Sequence, residues 1–415
     1  MWYNLLRCGP CVLPCQSAWR RLVTLRDDDV VIVSAARTPI GRFQGALRGI
    51  PAVQLGAIAI AEAVRRAGVA GGDVDEVLMG QVLQAGAGQA PARQAALRAR
   101  LPQCVGATTL NKVCGSGLKA VMLGAAMIRG GDARVVVAGG MESMNGAPFA
   151  LPRARFGYRL GDDRLVDVAV HDGLWCAAED CHMGALADAA AEAHGITREA
   201  MDAYALESHR RALAATAGGA FETEIVPVDA GRAGCLTVDE CPRADTTPQR
   251  LEALTPAFGP GGRVTAGNAS GLADGAAAVV LMRRDIARGL GCAPLARIMA
   301  YGQAAVAPRE IFIAPVYAVR RALARAGMTP DDPDLIELNE AFAAQVLADG
   351  ALLGLDWERV NVHGGAIALG HPIGASGARV LVTLLHALRR RDASVGLAAL
   401  CLGGGEAVAM IVERE

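Results

Sequence analysis

The chain has 415 residues and a formal net charge of −1, with 52% hydrophobic but only 4% aromatic residues. Such a length holds two or three domains, and a charge this near zero gives no electrostatic reason to expect nucleic acid or an anionic membrane as a partner. Few aromatics and 50 glycines leave a core filled by Ala, Val, Leu and Ile, with many tight turns and close backbone approaches.

No run approaches the roughly 18 uninterrupted apolar residues of a membrane span. Lys112 and Lys119 are the only lysines, so an anionic small substrate has to be met by arginine. The eleven cysteines are scattered, without metal-ligand pairing apart from Cys8, Cys11 and Cys15, a usage that fits a reducing compartment. Residues 1–26 hold Arg7, Arg20, Arg21 and Arg26 and no acid. They read either as a mitochondrial transit peptide, typically Arg-rich and acid-poor, or as an untargeted extension of a cytoplasmic protein. The scarcity of Ser favours the second.

In chain order, the β-branched run Val30–Val33 opens the folded part as a buried strand. A helix is expected over Ala52–Ala67, a strand over Val77–Val82, and a helix over Pro91–Arg98 with Pro in its first turn. After Thr108-Thr109-Leu110 comes Asn111-Lys112-Val113-Cys114-Gly115-Ser116-Gly117, a cysteine at a glycine-rich turn. The turn opens a helix running from Gly117 to about Ile128, in which Leu118, Val121, Met122 and Ala125 share a face. Arg134–Ala138 reads as a strand closed by Gly139-Gly140. Buried strands alternating with helices argue for α/β layers with parallel strands.

From Met144 to about Ser270 the texture changes to charge, Pro and irregular pattern, with one clear helix from Arg198 to Ala215. Such an insertion commonly supplies a lid or binding loop. The earlier grammar then returns: Ala375-Ser376-Gly377 opens a helix to about Leu388, and Val395–Leu402 is a strand ending in Gly403-Gly404-Gly405. Ser376 follows Ser116 by 260 residues and Gly403 follows Gly139 by 264. Either the fold is duplicated and the two turns face each other, or two ordinary α/β units merely look alike.

Four stretches carry polar residues that a core would not choose. They are Cys114 at its turn, Asn361 to Gly377 around His371, Leu338-Asn339-Glu340-Ala341-Phe342-Ala343, and Cys401-Leu402-Gly403-Gly404-Gly405. A cysteine at a helix start is placed where free N–H groups stabilise a thiolate or an oxyanion. Each also has a plain reading: free Cys is among the most buried residue types, and a lone His in an apolar loop is commonly a satisfied structural residue.

Taken together, the set and its order resemble the thiolase family. The matching motifs are Asn-x-x-Cys-Gly-Ser-Gly at 111–117, Gly-Gly-Met-Glu-Ser-Met at 139–144, Ala-Gly-Asn-Ala-Ser-Gly at 266–271, Asn-Glu-Ala-Phe at 339–342, Gly-His-Pro-Ile-Gly-Ala-Ser-Gly at 370–377 and Cys-x-Gly-Gly-Gly at 401–405. The resemblance runs from Val30 to the C-terminus. It implies a duplicated five-layer α/β/α/β/α fold with an inserted loop domain. The implied division is an extension over 1–28, an N-terminal half over 29–145 plus 273–293, a CoA-binding loop domain over 146–272 and a C-terminal half over 294–415.

The activity implied is reversible Claisen condensation of two acetyl-CoA to acetoacetyl-CoA, or cleavage of a longer 3-ketoacyl-CoA by CoA. Both need a thiolate that takes an acyl group as a new thioester. Cys114 resembles that nucleophile, and because a free thiol has a pKa of about 8.5 it needs a base and a positive end, for which His371 and the helix start qualify. Cys401 resembles the base that removes the α-proton. Asn339, through a water, and His371 resemble the enolate's oxyanion site, and the N–H groups of Cys114 and Gly403 that of the tetrahedral intermediate. Ser270 matches a serine near the pantetheine and Arg243 an arginine near the adenine and its phosphate, where a guanidinium is the expected partner. His182, Met183, Phe258, Ala341 and Phe342 resemble pocket-lining positions. No cofactor and no metal are implied, coenzyme A thioesters being substrates, and the expected assembly is a homodimer or homotetramer.

The chain departs from the family pattern at Ile311-Phe312-Ile313-Ala314-Pro315, where bulk replaces small residues beside the acyl pocket. His363 is read as support for His371. A β-ketoacyl synthase, which completes its site with two histidines or His and Asn, fits the second cysteine poorly. A catalytically dead binding homologue does not explain why every catalytic position is filled. A Rossmann dehydrogenase lacks its spaced glycines here.

Overall fold

Val30 begins the first strand among the described residues, β1 (Val30–Arg37), buried along its whole length. The computed structural model describes residues 26–415. Both readings of the N-terminal stretch, and Cys8, Cys11 and Cys15, fall outside the described residues apart from Arg26. After β1 come helix α1 (Ala52–Ala67), strand β2 (Glu76–Gly80), helix α2 (Pro91–Arg98), strand β3 (Gly106–Leu110), helix α3 (Ser116–Gly130) and strand β4 (Val135–Ser143). The chain then leaves the sheet for α4 (Met183–Ala193) and α5 (Arg198–Ala217), and returns as β5 (Ala273–Arg283). The second half is β6 (Ala296–Ala305), α6 (Ala314–Ala326), β7 (Leu335–Leu338), α7 (Ala343–Leu353), α8 (Ile373–Arg390), β8 (Val395–Leu402) and β9 (Glu406–Arg414).

The strands run β7-β8-β9-β6-β1-β5-β4-β2-β3, with Gly41–Arg42 paired off this path to β5. Only β2/β3, β2/β4 and β7/β8 are parallel, and the central pairs are antiparallel. The expected parallel sheet is therefore mixed. The physical reason lies in the connections: a helix crossover returns a strand parallel, whereas the Gly403–Gly405 turn between β8 and β9 forces a hairpin. At the centre β1 pairs with β6 through only two positions, Val31↔Arg297 and Ile32↔Ala296. The sheet is thus two halves joined by a narrow seam.

Three apolar clusters show the layering. One face of β1, β2, β4 and β5 packs with α1 and α2, through residues such as Val31, Ile60, Ala95, Val137 and Val280. The other face, together with one face of β8 and β9, packs on α3 and α8 through Ile32, Leu118, Val279, Leu381, Leu400 and Met410. The remaining face of β8 and β9 packs on α6 and α7. Helix pair, half-sheet, helix pair, half-sheet, helix pair: these are five layers, and apart from the edge strand β3 each half follows the same order of strands. Because both faces of the strands are covered, they read as near-continuous apolar runs.

The two middle helices touch at their first turns. A Cβ on Gly117 would lie 2.6 Å from Ala378 N, and one on Gly377 would lie 2.4 Å from Leu118 N. These glycines are 260 residues apart, and β4 and β8 start at Val135 and Val395, the same interval. The 264-residue pairing of Gly139 with Gly403 does not hold. Gly139 and Gly140 do not close their strand; they lie within it, opposite Ala278 and Ala277. A side chain at Gly139 would enter Ala277 O and one at Gly140 would enter Gly374 O, so these glycines mark close packing.

Candidate active site

The cysteine turn is held in an unusual backbone state. Val113 has φ 45°, a left-handed conformation that a β-branched residue adopts only under constraint. Three hydrogen bonds impose it: Val113 N–H to Asn111 Oδ1 (2.9 Å), Lys112 N–H to Ser116 Oγ (2.8 Å) and Ser116 O–H to Val113 O (2.6 Å). The β8/β9 turn fits against it. A Cβ on Gly115 would meet Leu402 and one on Gly403 would meet Val113, so the two glycines let the backbones of the two halves close on each other.

The result is one cavity of about 370 Å³ lined by Cys114, His371, Cys401 and Gly403. His182, Met183, Phe258, Ser270, Ala341 and Phe342 also line it. Asn339 lies fully buried behind His371, its Nδ2 3.5 Å from His371 Nε2 and its Oδ1 without a hydrogen-bond partner. Arg243 stands apart from the cavity walls. It is exposed, and its backbone N–H donates to His209 Nδ1 at 3.1 Å.

The polar loops are locked together. The 266–271 stretch docks on the 339–343 stretch through Ser270 N–H to Ala341 O (3.1 Å) and Ala343 N–H to Asn268 O (2.9 Å), and His371 N–H donates to Gly271 O (3.0 Å). Glu340 accepts from Tyr204 O–H, Ser208 O–H, Asn361 Nδ2 and Ile367 N–H at 2.7–3.1 Å. That buried carboxylate ties helix α5 to the loop that carries His371. The conspicuous Asn-Glu-Ala-Phe spelling therefore puts one residue beside the imidazole and the next behind its loop.

His371 itself is oriented by Ser376, whose Oγ lies 2.6 Å from Nδ1 and donates to Pro372 O at 3.0 Å. Since that hydroxyl proton is committed to the carbonyl, the network assigns the ring proton to Nδ1 and leaves Nε2 as the acceptor. Ser376 belongs to the Gly-His-Pro-Ile-Gly-Ala-Ser-Gly motif, and its signal there is a serine one helical turn beyond His-Pro. His363, read as support for His371, is placed elsewhere: its ring meets Phe221 edge-on at 5.9 Å between centroids.

Electrostatics sets the resting protonation. Burial pushes the Cys114 thiol up to about 12, while the N–H groups of Gly403 and of Cys114 itself pull it down and Glu142 adds a smaller upward push. Burial, with Arg379 nearby, takes His371 down to about 3. Burial also raises Cys401 well above the ordinary thiol range, with Cys114 and Asp349 adding to it. The site therefore rests as two thiols and a neutral imidazole, not as the preformed thiolate that the helix start suggested. The two backbone N–H groups nevertheless converge on the Cys114 sulfur, where an oxyanion hole for its acyl adduct has to be.

One wall is aromatic. His182 stacks on Phe258 (4.5 Å between centroids), Phe258 meets Phe342 edge-on (6.2 Å), and Phe342 meets Phe312 (5.4 Å). Ile311 and Phe312, both 2% exposed, complete the lining, so the bulk noted in the sequence stands in the cavity wall. Among the described residues no group of three or more His, Cys, Asp or Glu is arranged to hold a metal ion.

A doubled α/β fold that sets two thiols and an imidazole on one cavity defines the class of thiol-dependent acyl-transfer enzymes. The chain belongs to the thiolase family: residues 30–285 match the thiolase N-terminal domain and residues 292–414 the thiolase C-terminal domain. It is 57% identical over 391 residues to an acetyl-CoA acetyltransferase of Pseudomonas aeruginosa, covering 93% of this chain and all of that one. To the acetyl-CoA acetyltransferase of Cupriavidus necator it is 56% identical, with the same coverage. The crystal structure of the Bacillus anthracis acetyl-CoA acetyltransferase superposes with a TM-score of 0.91 at 44% identity, covering 94% of this chain and 99% of that one.

Proposed function

We propose that the protein is an acetyl-CoA acetyltransferase, joining two acetyl-CoA into acetoacetyl-CoA and CoA, and running in reverse, through an acetyl group carried on Cys114. The observation that carries this reading is the shared cavity of Cys114, Cys401 and His371. In the first half-reaction the Cys114 sulfur attacks the thioester carbonyl while its proton passes to His371 Nε2. The oxyanion accepts from the N–H groups of Cys114 and Gly403. CoA leaves with the proton of Cys401, so the cavity then holds an acetyl thioester, a Cys401 thiolate and an imidazolium whose charges balance.

In the second half-reaction the Cys401 thiolate takes a proton from the α-carbon of the next acetyl-CoA. Its surroundings make it a strong base once formed, because burial disfavours the anion. The enolate oxygen accepts from His371 Nε2–H and from a water held by Asn339; the unpartnered Asn339 Oδ1 supports that role. The enolate carbon attacks the acetyl-Cys114 carbonyl. Collapse releases acetoacetyl-CoA and a Cys114 thiolate, which takes its proton back from His371.

Ser270, His182, Met183, Phe258, Ala341 and Phe342 are assigned to the pantetheine and acyl groups, and the exposed Arg243 to the adenine-phosphate end of CoA. No cofactor is assigned beyond the CoA substrates. Ile311 and Phe312 favour a short acyl group over the longer 3-ketoacyl chains of a degradative enzyme. The active form is a homodimer or homotetramer, a reading supported by the run of large apolar residues that the 149–165 segment leaves exposed, Phe149, Leu151, Phe156, Leu160 and Leu165.

No helix among the described residues is long and apolar enough to cross a membrane. The described cysteines are all free thiols, which supports a reducing location such as the cytoplasm. The test is to supply acetyl-CoA alone, then acetoacetyl-CoA with CoA, and follow both directions. Turnover in each is expected, and absence of both overturns the reading.

A further inference from the structure

His363 is 8% exposed, yet its ring nitrogens find no hydrogen-bond partner among the described residues. Burial lowers its basicity, Glu224 opposes this, and Arg391 and Arg390 act in the same direction as burial. The ring lines a second cavity of about 350 Å³, between α5 and the C-terminal end of α8, with no residue in common with the acyl cavity.

The walls of this second cavity are basic. Arg210, Arg211, Arg390 and Arg391 stand against two acids, Glu207 and Glu358. Glu207 is already shared by Arg210 and Arg211 at 2.6 Å each. Arg211 also donates to the carbonyls of Trp357 and Val360, and Arg390 to those of Gly218 and Gly219. The Arg391 side chain has no such partner among the described residues. A free guanidinium fork, a second one satisfied only by carbonyls and a buried imidazole with open nitrogens thus converge on a cavity with two positive charges in excess. Guanidinium pairs bidentately with phosphoryl oxygens, and neutral His adds one N–H donor.

We propose that this cavity is a second ligand site that takes a phosphate dianion, either orthophosphate or the end of a phosphomonoester other than the CoA substrate, held by Arg390, Arg391 and His363. What a cluster made only of exposed arginines would lack is the His363 ring, 8% exposed as a residue, without a hydrogen-bond partner among the described residues and part of the cavity lining beside the exposed Arg390 and Arg391. The 350 Å³ volume leaves room for a group esterified to the phosphate.

Orthophosphate is titrated calorimetrically into the full chain at constant ionic strength, with sodium chloride as the control. Saturable binding at one site per chain is expected, weakened at least about tenfold, or roughly 1.4 kcal/mol, in Arg391→Gln and in His363→Gln. Histidine-selective NMR, with the His363 signal assigned by its loss in His363→Gln, supplies an independent readout. Phosphate should raise the pKa of that ring, since an adjacent anion favours the charged form, and should fail to do so in Arg391→Gln. No saturable phosphate binding, or binding unchanged in both variants, overturns the proposal. Displacement of phosphate by CoA but not by dephospho-CoA also overturns it, because the site would then belong to the substrate's own phosphate.

Discussion

His371 Nδ1 lies 2.6 Å from Ser376 Oγ, and that one contact decides which nitrogen of the imidazole meets the substrate. With Nδ1 protonated and facing the serine, Nε2 is bare toward the cavity and able to receive the Cys114 proton. Ser376→Ala frees the ring to exchange tautomers. A loss of about ten- to a hundredfold in kcat is expected, the size found when the partner that orients a metal-ligating histidine is removed. KM for acetoacetyl-CoA should change little, and steady-state thiolysis measures both.

The two thiols are expected to separate the half-reactions. Cys114→Ala should form no acyl-enzyme, whereas Cys401→Ala should still take an acetyl group from acetyl-CoA and then fail to condense it. Intact-protein mass spectrometry reads the acetyl adduct and product analysis reads condensation. Condensation by Cys401→Ala at the rate of the unsubstituted enzyme would show that another group removes the α-proton.

Phe312 is held edge-on against Phe342 at 5.4 Å, so trimming it enlarges the acyl end of the cavity without removing a thiol or the imidazole. In Phe312→Leu the kcat/KM ratio of 3-ketooctanoyl-CoA to acetoacetyl-CoA should rise about tenfold or more, the scale on which apolar pockets discriminate single methylenes. Equal turnover of both substrates by the unsubstituted enzyme would remove Phe312 as the determinant.

The glycine contact between the middle helices has a structural test. A methyl at Gly377 would sit 2.4 Å from Leu118 N, against backbone that has nowhere to go. Gly377→Ala should destabilise the protein by about 1–3 kcal/mol, the range for forced overpacking. Activity should fall with it, because both helix starts position Cys114 and His371. Chemical denaturation read alongside thiolysis tests the two together.

Three buried acids each contribute a fall in stability as pH rises, opposed below about pH 6.5 by buried histidines such as His371 and His209, which stay neutral in the fold. Burial holds Glu142 up to about 7 against three N–H donors, Glu337 up to about 8 despite Arg379, and Asp349 well above the carboxylate range. Each keeps its proton in the folded state at a pH where the unfolded chain, near 4, has lost it. Folding therefore binds protons, and every such group costs about 1.4 kcal/mol of stability per pH unit between its unfolded and folded pKa. The acids' contribution runs from about pH 4 through pH 7–8 for the two glutamates and further for Asp349, and the net fall should emerge above about pH 6.5, where the opposing contribution of the histidines ends. Asp349→Asn, which keeps an acceptor for the Gln345 amide (2.6 Å), should flatten the slope of melting temperature against pH. An unchanged slope would show that Asp349 is ionised in the fold.

Much of this was legible one residue at a time. The limits of α1 and α2 follow from apolar spacing, from Gly68 in the left-handed conformation at φ 72° ending α1 and from Pro91 starting α2. The Val395–Leu402 strand is equally plain. Helix α4 went unseen because its Ala-rich stretch carries little periodic contrast, and its N-cap is His182, an unusual acceptor for Gly184 N–H. Gly139-Gly140 reads locally as a strand end because glycine most often marks a turn; in this chain the glycines make room for Ala277 and Gly374 of neighbouring elements, which local spelling does not contain.

The sequence by itself determined the chemistry available: two cysteines, an imidazole and an asparagine at glycine-rich turns of a repeated pattern, with bulk at Phe312. Those are local facts, written in residue type and spacing. Only the tertiary structure decided that the thiols rest protonated, that Ser376 and not His363 orients the imidazole, and that His363 faces a cavity of its own. Burial and the direction of a side chain depend on contacts between segments as far apart as Gly117 and Gly377, and such contacts come into being only when the chain packs.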